Sequence, residues 1–242
     1  MGIGPGSLED LTPRARRCVE SADVVVGYAT YVDLVRPIIK PGAKVIRGRM
    51  GGEVERARAA ISAALGGSQV AVISGGDPGV YGMAGVVLEA ATVDSADVCI
   101  DVIPGVTAAT AAAARLGAPL SVDFAVISLS DLLTPWDLIE KRLEAASEGD
   151  FVIVLYNPQS KGRREPLAQA HSILLRHRHP ETPVGIVRNA GRGGEEVEIT
   201  NLERMLDSEI DMVTTVIVGN SSTLVLDGRM VTPRGYDLRS SR

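Results

Sequence analysis

Short apolar runs alternate with amphipathic stretches along the first half of the chain. Such runs are typical of buried parallel strands, and they occupy residues 24–26, 44–47, 70–73 and 98–103. The stretches between them predict helices. The first helix begins at Thr12-Pro13, because threonine is a favourable N-cap and proline suits the first helical position. Repeated strand–helix units predict a parallel sheet with helices on both faces.

The second half of the chain carries strand-like runs in a less regular order. They lie at residues 124–129, 151–156, 184–187, 196–199, 214–218 and 230–232. The late short runs are typical of antiparallel pairing, so we expect a mixed sheet here. Gly117-Ala118-Pro119-Leu120 predicts a hinge between the halves. The predicted fold class is α/β, with one domain over residues 1–117, a second over residues 121–242 and a cleft between them.

A glycine-rich loop after the third predicted strand is the first candidate site. It reads Ser74-Gly75-Gly76-Asp77-Pro78-Gly79-Val80-Tyr81-Gly82. In open α/β sheets, ligands bind outside the carboxyl ends of the strands. Gly75 and Gly76 allow a backbone to approach a ligand closely, and Asp77 places one carboxylate at that edge. The pattern predicts a ligand-binding loop.

Several other loops of small or polar residues also follow predicted strands. They are Pro104-Gly105-Val106-Thr107-Ala108, Ser128-Leu129-Ser130-Asp131, Tyr156-Asn157-Pro158 and Arg188-Asn189-Ala190-Gly191. Each alone is typical of a turn, but together they predict one composite pocket that suits a flat cofactor better than a triphosphate. The basic candidates for an anionic substrate are Lys161, Arg163, Arg164 and Arg188.

Composition and charge argue against several classes of function. Aromatic residues make up 3% of the chain and the net charge is −5, which disfavours base stacking and general affinity for nucleic acid or anionic membranes. Cys18 and Cys99 lack metal-ligand spacing, so we expect buried free thiols in a reducing cytoplasm. No apolar run approaches the ~18 residues of a membrane span. We expect a cytoplasmic protein without a metal site, a nucleic-acid partner or membrane contact.

The loops together resemble those of one enzyme family. Gly4-Pro5-Gly6, Gly75-Gly76-Asp77-Pro78 and Pro104-Gly105-Val106-Thr107-Ala108 occur in the order and spacing of the tetrapyrrole (corrin/porphyrin) methylases, which use S-adenosylmethionine. The resemblance covers essentially the whole chain. The segments at residues 76–83, 128–136 and 156–161 resemble the family members that methylate precorrin-3B at ring carbon 17 and contract its macrocycle in cobalamin biosynthesis.

This resemblance implies a cofactor, a substrate and a homodimer. The cofactor is S-adenosylmethionine, with S-adenosylhomocysteine as its product, and the substrate is precorrin-3B or a related polycarboxylate tetrapyrrole. The positions that match cofactor contacts are Pro5, Gly75, Gly76, Asp77, Val80, Thr107, Ala108, Asn157 and Ala190. Ring contraction needs proton movements, for which Asp131 and Ser130 are the candidates. Lys161, Arg163, Arg164 and Arg188 are the candidates for pairing with substrate carboxylates.

Other functions stay open at this point. The cobalt-containing version of the same methylation, on cobalt-factor III, differs only in the metal that the substrate carries. A non-catalytic module that binds corrinoids or S-adenosylmethionine would share these loops. A methylase of this fold could act on a macromolecule such as ribosomal RNA or diphthine. The acidic balance and the scarcity of aromatic residues disfavour RNA, and the specific motifs favour a corrinoid. A nicotinamide enzyme is disfavoured because Gly4-Pro5-Gly6 has hardly a strand before it and no third glycine at the required offset.

Overall fold

A computed structural model describes residues 1–160, 162 and 164–237. The chain divides into two compact units, Met1–Ala108 and Ala109–Arg242. This division falls between Ala108 and Ala109, whereas the sequence predicted the hinge at residues 117–120. The reason is that Gly117 and Ala118 pair as a strand with Met230 and Val231 inside the second unit.

The first unit contains a three-stranded parallel sheet in the order β2-β1-β3. Its strands are β1 (Val24–Tyr28), β2 (Lys44–Gly48) and β3 (Val70–Val72). Its helices are α1 (Pro13–Ser21), α2 (Ala29–Val35), α3 (Glu53–Leu65) and α4 (Met83–Val93), with a 3-10 turn at Arg36–Ile38. Val25 packs in one apolar cluster with α1 and α2, and its neighbours Val24 and Val26 pack in another with α3. Because successive strand residues point to opposite faces, helices cover both faces, as predicted.

The start of the chain lies alongside the end of β3. The Ile3 amide donates to the Ser74 carbonyl, and the Ser74 amide donates to the Met1 carbonyl, both at 2.9 Å. Gly2 forms a parallel bridge with Ser74. Ile3 is buried in the core of the unit. The turn at Gly4-Pro5-Gly6 is therefore anchored to the loop that follows β3.

Residues 98–103 are not a strand, so that prediction is wrong. Within the described residues, the segment joins its neighbour through a hydrogen bond from the Gly2 amide to the Ile103 carbonyl. Cys99, Asp101 and Val102 are exposed. An apolar run becomes a strand only when a neighbour pairs along its length, which the pattern itself does not report. Both cysteines are free, with Cys18 half-buried and Cys99 exposed rather than buried as predicted.

The second unit contains a mixed sheet, as predicted, with five strands in the order β5-β6-β9-β7-β8. A smaller sheet has the order β10-β11-β4. The strands are β4 (Gly117–Ala118), β5 (Phe124–Ser128), β6 (Val152–Tyr156), β7 (Pro183–Arg188), β8 (Glu196–Asn201), β9 (Thr214–Val218), β10 (Leu224–Leu226) and β11 (Arg229–Val231). The helices are α5 (Ala108–Leu116), α6 (Trp136–Glu148) and α7 (Glu165–His177), with a 3-10 turn at Met205–Asp207.

The strand directions bring three loops of this unit to one edge. β5 and β6 are parallel, while β9 lies antiparallel between β6 and β7. β5, β6 and β7 therefore run in the same direction. The loops after Ser128, Tyr156 and Arg188 lie at a common carboxyl edge, which is where open α/β sheets bind ligands. In the described part of the chain, no helix is long and apolar enough to cross a membrane.

Candidate functional site

Three glycine-bearing segments of the first unit pack backbone against backbone. Gly76 and Gly4 exchange two hydrogen bonds, at 2.8 and 3.1 Å. A Cβ atom on Gly105 would lie 2.3 Å from the Gly76 carbonyl oxygen, and one on Gly2 would lie 2.4 Å from the same oxygen. A larger residue at either position would push these segments apart. These glycines therefore allow the loops themselves to approach one another.

The two adjacent glycines at the end of β3 have different roles. Gly76 adopts a left-handed φ of +63°, and its Cβ position lies 3.6 Å from both the Thr107 Cα atom and the Ala108 amide nitrogen. Gly75 instead makes room for Tyr31, whose ring carbon Cζ lies 2.6 Å from the Cβ position of Gly75. Tyr31 in turn meets Tyr28 edge to face, with ring centroids 5.4 Å apart. The predicted site thus has an aromatic support that the loop motif did not reveal.

Asp77 holds two of the candidate loops together. Its Oδ1 atom accepts a hydrogen bond from the Gly79 amide at 2.8 Å, and its Oδ2 atom accepts one from the Gly105 amide at 2.9 Å. Both carboxylate oxygens are therefore engaged by the protein itself. Hydrogen bonds to an ionised acceptor are stronger than those between neutral groups. The geometry gives Asp77 a positioning role between the loops.

The structure brings together the cofactor candidates of the first unit. Pro5 is buried next to Gly4, which is bonded to Gly76, while Thr107, Ala108 and Val80 are half-buried. The members of this set lie on three segments that contact one another, namely residues 4–6, 75–80 and 104–108. The predicted cofactor pocket itself stays a prediction.

A second set of candidates surrounds the Ser128 hydroxyl in the second unit. Ser128 Oγ accepts hydrogen bonds from Asn157 Nδ2 at 2.9 Å and from the Ser130 amide at 3.2 Å. These contacts follow from the register of β5 and β6, which pairs Ser128 with Tyr156. The Leu129 amide extends the pairing by donating to the Tyr156 carbonyl. Sequence reasoning placed Ser128 in a candidate loop but gave it no role, whereas the structure shows that it joins Asn157 and Ser130.

Asn157 adopts a left-handed backbone conformation, with φ of 50°. Asn189, which precedes Ala190, has φ of 52°. Asparagine tolerates this region better than other non-glycine residues do. Ala190 is 8% exposed and packs in an apolar cluster with Ala109 and Ala113. A ligand that reaches this position would meet mainly its backbone.

The two proton-transfer candidates differ in exposure. Asp131 is exposed and Ser130 is half-buried, and both lie in the loop between β5 and α6. The same loop carries Leu132 and Leu133, which are 82% and 98% exposed. The hydroxyl of Tyr156 accepts a hydrogen bond from the Ala109 amide at 2.6 Å in the first turn of α5. Tyr156 therefore caps a helix at the same edge of the sheet.

The basic substrate candidates have dissimilar surroundings. Arg188 Nε donates to Asp211 Oδ2 at 2.9 Å, and its NH1 atom lies 3.3 Å from a Glu196 carboxylate oxygen. These carboxylates raise the pKa of the guanidinium, with the hydrogen bond to Asp211 as the largest cause. Arg164 is exposed just before α7. Lys161 and Arg163 lie outside the described residues.

Comparison with known proteins assigns the chain to a family. The family described as Tetrapyrrole (Corrin/Porphyrin) Methylases matches residues 1–206. This chain belongs to the tetrapyrrole methylases. The family confirms S-adenosylmethionine as the cofactor. The described residues of this tetrapyrrole methylase include no group of three or more His, Cys, Asp or Glu side chains that could hold a metal ion.

The tetrapyrrole methylase is similar in sequence to cobalt-factor III methyltransferases of two bacteria. It is 51% identical over 238 residues to the probable cobalt-factor III C(17)-methyltransferase of Salmonella typhimurium, covering 98% of each chain. It is 50% identical over 240 residues to the cobalt-factor III methyltransferase of Priestia megaterium, covering 98% of this chain and 44% of the relative. The chain thus spans less than half of that second relative.

Solved structures confirm the α/β fold of this tetrapyrrole methylase. The crystal structure of the methyltransferase CobJ superposes with a TM-score of 0.89 at 35% identity, covering 96% of this chain and 97% of the other. The uroporphyrin-III-C-methyltransferase of Thermus thermophilus superposes with a TM-score of 0.65 at 27% identity, covering 90% and 91%.

Proposed function

We propose that this tetrapyrrole methylase transfers the methyl group of S-adenosylmethionine to ring carbon 17 of cobalt-factor III in cobalamin biosynthesis. One observation carries the proposal. The Salmonella relative, which is matched over 98% of both chains, bears this substrate and this carbon in its name.

The cofactor binds at the three associated segments of the first unit. Bound S-adenosylmethionine supplies a methyl group on a positively charged sulfur. Because the cofactor supplies the reactive group, the protein contributes by aligning the methyl group with the substrate carbon and by excluding water. The proposed lining of the cofactor consists of backbone groups of Gly75, Gly76 and Ala108 and of the side chains of Pro5, Val80 and Thr107. Asp77 acts by fixing the loops, because both of its oxygens are engaged by backbone amides.

Two positions of the second unit, Asn157 and Ala190, also match cofactor contacts in the family that the sequence resembles. Asn157 is held by Ser128, and Ala190 offers its backbone because its side chain is buried. When bound, S-adenosylmethionine would supply the methyl group and its sulfur would keep the electron pair of the broken bond, while ring carbon 17 of the substrate would supply the pair for the new bond. The carbon nucleophile belongs to the substrate, so the protein needs no nucleophile of its own.

Precorrin-3B, the metal-free counterpart, is the second substrate candidate. It is supported by the motif at residues 128–136, on which the resemblance to the enzymes that act on it rests. With this substrate, the proposed methylation is accompanied by contraction of the macrocycle, in which a meso carbon leaves the ring as an acetyl group. Asp131 and Ser130 are the proposed groups for the accompanying proton movements. Arg164, with Lys161 and Arg163, is proposed to meet the substrate carboxylates.

Parallel methyl-transfer assays test the proposal. The enzyme is incubated with S-adenosylmethionine labelled with carbon-13 in its methyl group, and with either cobalt-factor III or precorrin-3B. Carbon-13 NMR then locates the label on the product. A labelled methyl group on ring carbon 17 of cobalt-factor III supports the proposal, and one on precorrin-3B alone favours the second substrate. Cofactor binding without transfer to either tetrapyrrole would contradict both and favour a non-catalytic binding module.

A further inference from the structure

Three large apolar side chains are exposed at the carboxyl edge of the sheet in the first unit. Met50 is 61% exposed and lies in the loop between β2 and α3, and Val54 is 53% exposed in the first turn of α3. Tyr81 is 58% exposed and lies in the loop between β3 and α4. Because the strands are parallel, both loops belong to the edge at which such sheets bind ligands. Clustered apolar exposure marks a binding surface more often than scattered exposure does.

A buried arginine fixes the two loops relative to each other. Arg56, on α3, is 6% exposed. One of its terminal nitrogens donates to the Arg49 carbonyl at 2.5 Å, and the other lies 2.9 Å from Glu53 Oε1 and 3.7 Å from the Met83 sulfur. One guanidinium thus bonds the loop that carries Met50 and also the helix start that follows Tyr81. The apolar side chains are presented by a fixed frame.

The backbone of Tyr81 also points to a function for its ring. Its φ is 52°, in the left-handed region that large non-glycine residues seldom adopt. Its neighbour Gly82 is tightly enclosed, since a Cβ atom there would lie 2.7 Å from the Pro78 carbonyl oxygen. Strained conformations persist where the surrounding structure imposes them, often at ligand sites. The strain holds an aromatic ring at the edge of a loop that is otherwise small.

The charge beside this surface indicates what it binds. Arg49 is exposed, and within the described residues its guanidinium forms no ion pair. Arg47, on the same strand end, is fully engaged by Asp33 through hydrogen bonds of 2.7 and 2.8 Å. A tetrapyrrole combines a broad apolar face with peripheral carboxylates. That combination matches an apolar surface next to an available arginine.

We propose that Met50 and Tyr81 contact the face of the tetrapyrrole substrate while Arg49 binds one of its carboxylates. This inference rests on the proposed function. It assigns substrate recognition to Arg49 and Met50, which lie outside the sequence motifs, and to Tyr81, whose loop was predicted to bind a ligand but whose ring was given no substrate contact. Val54 widens the apolar surface, and Arg56 acts as a positioning residue through its bonds to Arg49 and Met83.

Binding of cobalt-factor III, measured by absorbance in the presence of S-adenosylhomocysteine, tests the inference without requiring turnover. Met50→Ser, Tyr81→Asn and Arg49→Gln are each expected to weaken tetrapyrrole binding by about tenfold. Tyr81→Phe keeps the ring and should retain affinity. Asparagine suits a left-handed backbone, so Tyr81→Asn is expected to fold. Affinity for S-adenosylhomocysteine, measured by calorimetry, should change less than about twofold in all variants.

The chain offers matched controls. Leu65, at the opposite end of α3, is 59% exposed, so Leu65→Ser repeats the polarity change of Met50→Ser away from the surface. Arg47→Gln repeats the charge loss of Arg49→Gln at a paired arginine. Both controls should bind cobalt-factor III as the unaltered enzyme does.

Three results would overturn the inference. The first is unchanged tetrapyrrole affinity in the test variants. The second is a loss of tetrapyrrole affinity in the controls that equals the loss in the test variants. The third is a sedimentation coefficient that differs between the test variants and the unaltered protein in a way that shows a second copy of the chain covering this surface. Failure of the proposed function is a separate result, because it is seen as an absence of methyl transfer by the unaltered enzyme.

Discussion

One carboxylate oxygen of Asp77 accepts a hydrogen bond from the backbone amide nitrogen of Gly105, at a distance of 2.9 Å. The other oxygen accepts a hydrogen bond from the Gly79 amide, which lies in the same loop as Asp77. A single side chain therefore fixes the loop after β3 against the segment that leads into α5. The cofactor candidates Gly76 and Thr107 lie on these two segments, so their spacing depends on this carboxylate.

Asp77→Asn should destabilise the first unit by about 1–2 kcal/mol, because an amide NH2 would face one of the two backbone donors. The affinity for S-adenosylhomocysteine should fall along with stability. Urea unfolding and calorimetric titration measure the two effects. Asp97→Asn, at an exposed position in the same unit, serves as the control. Equal stability of both variants would contradict the positioning role of Asp77.

Asn157→Val should destabilise the protein by about 1 kcal/mol more than Asn157→Gly. Both substitutions remove the hydrogen bond to Ser128 Oγ. Only valine adds the cost of placing a β-branched residue at a φ of 50°. Chemical denaturation of the two variants, each compared with the unaltered chain, gives the difference. Indistinguishable unfolding curves would mean that the backbone of Asn157 is not constrained.

Arg188→Gln should reduce stability while leaving the KM for the tetrapyrrole within about twofold of its original value. The reason is that Arg188 is already engaged by Asp211 and Glu196. Steady-state kinetics and urea unfolding separate the two effects. A large rise in KM at unchanged stability would restore Arg188 as a substrate ligand, which is the role predicted from sequence.

Asp211 should make folding sensitive to acid. Burial acts to raise the pKa of its carboxyl, but hydrogen bonds from Thr214, Val213 and Arg188 outweigh burial and hold the pKa below its ordinary value. A pKa that is lowered by folding contributes stability above the unfolded-state value. That contribution is lost as the pH falls through the folded-state value.

Urea unfolding at about pH 7 and about pH 3.5 tests the direction of this pH dependence of stability. The free energy of unfolding should fall less over this range in Asp211→Asn than in the unaltered protein. The decrease for Arg188→Gln should lie between those of the two other proteins, because this substitution removes one of the hydrogen-bond donors that stabilise the Asp211 carboxylate. Parallel decreases in all three proteins would exclude a contribution from Asp211.

The sequence predicted the loops of the site better than the contacts within them. Small residues after apolar strands located the loops at Gly76 and Asn157, each at the carboxyl edge of the sheet in its own unit. Asp77 was selected as a cofactor-binding carboxylate, which stays a prediction, and the structure adds that it accepts hydrogen bonds from Gly79 and Gly105. A carboxylate that bonds its own backbone cannot be told from one that faces a ligand by residue type alone.

Tertiary contacts account for most of the other differences. The packing of Tyr31 on Gly75 and the bonds of Arg56 join residues that are distant in sequence. No local pattern reports either contact. Residues 98–103 show the same limit, since their apolar alternation was interpreted as a strand although pairing along their length is absent from the described structure. The mixed sheet of the second unit was predictable because short strand-like runs late in the chain indicate antiparallel pairing.

The most direct test of the cofactor site is calorimetric titration with S-adenosylhomocysteine. The unaltered protein should bind at one saturable site. Thr107→Val, which removes a hydroxyl at nearly constant volume, should weaken binding by about tenfold. Thr92→Val makes the same change on the exposed surface of α4 and should leave binding unchanged. Absence of binding by the folded, unaltered protein, or equal affinity in all three proteins, would contradict the assignment of the cofactor to these loops.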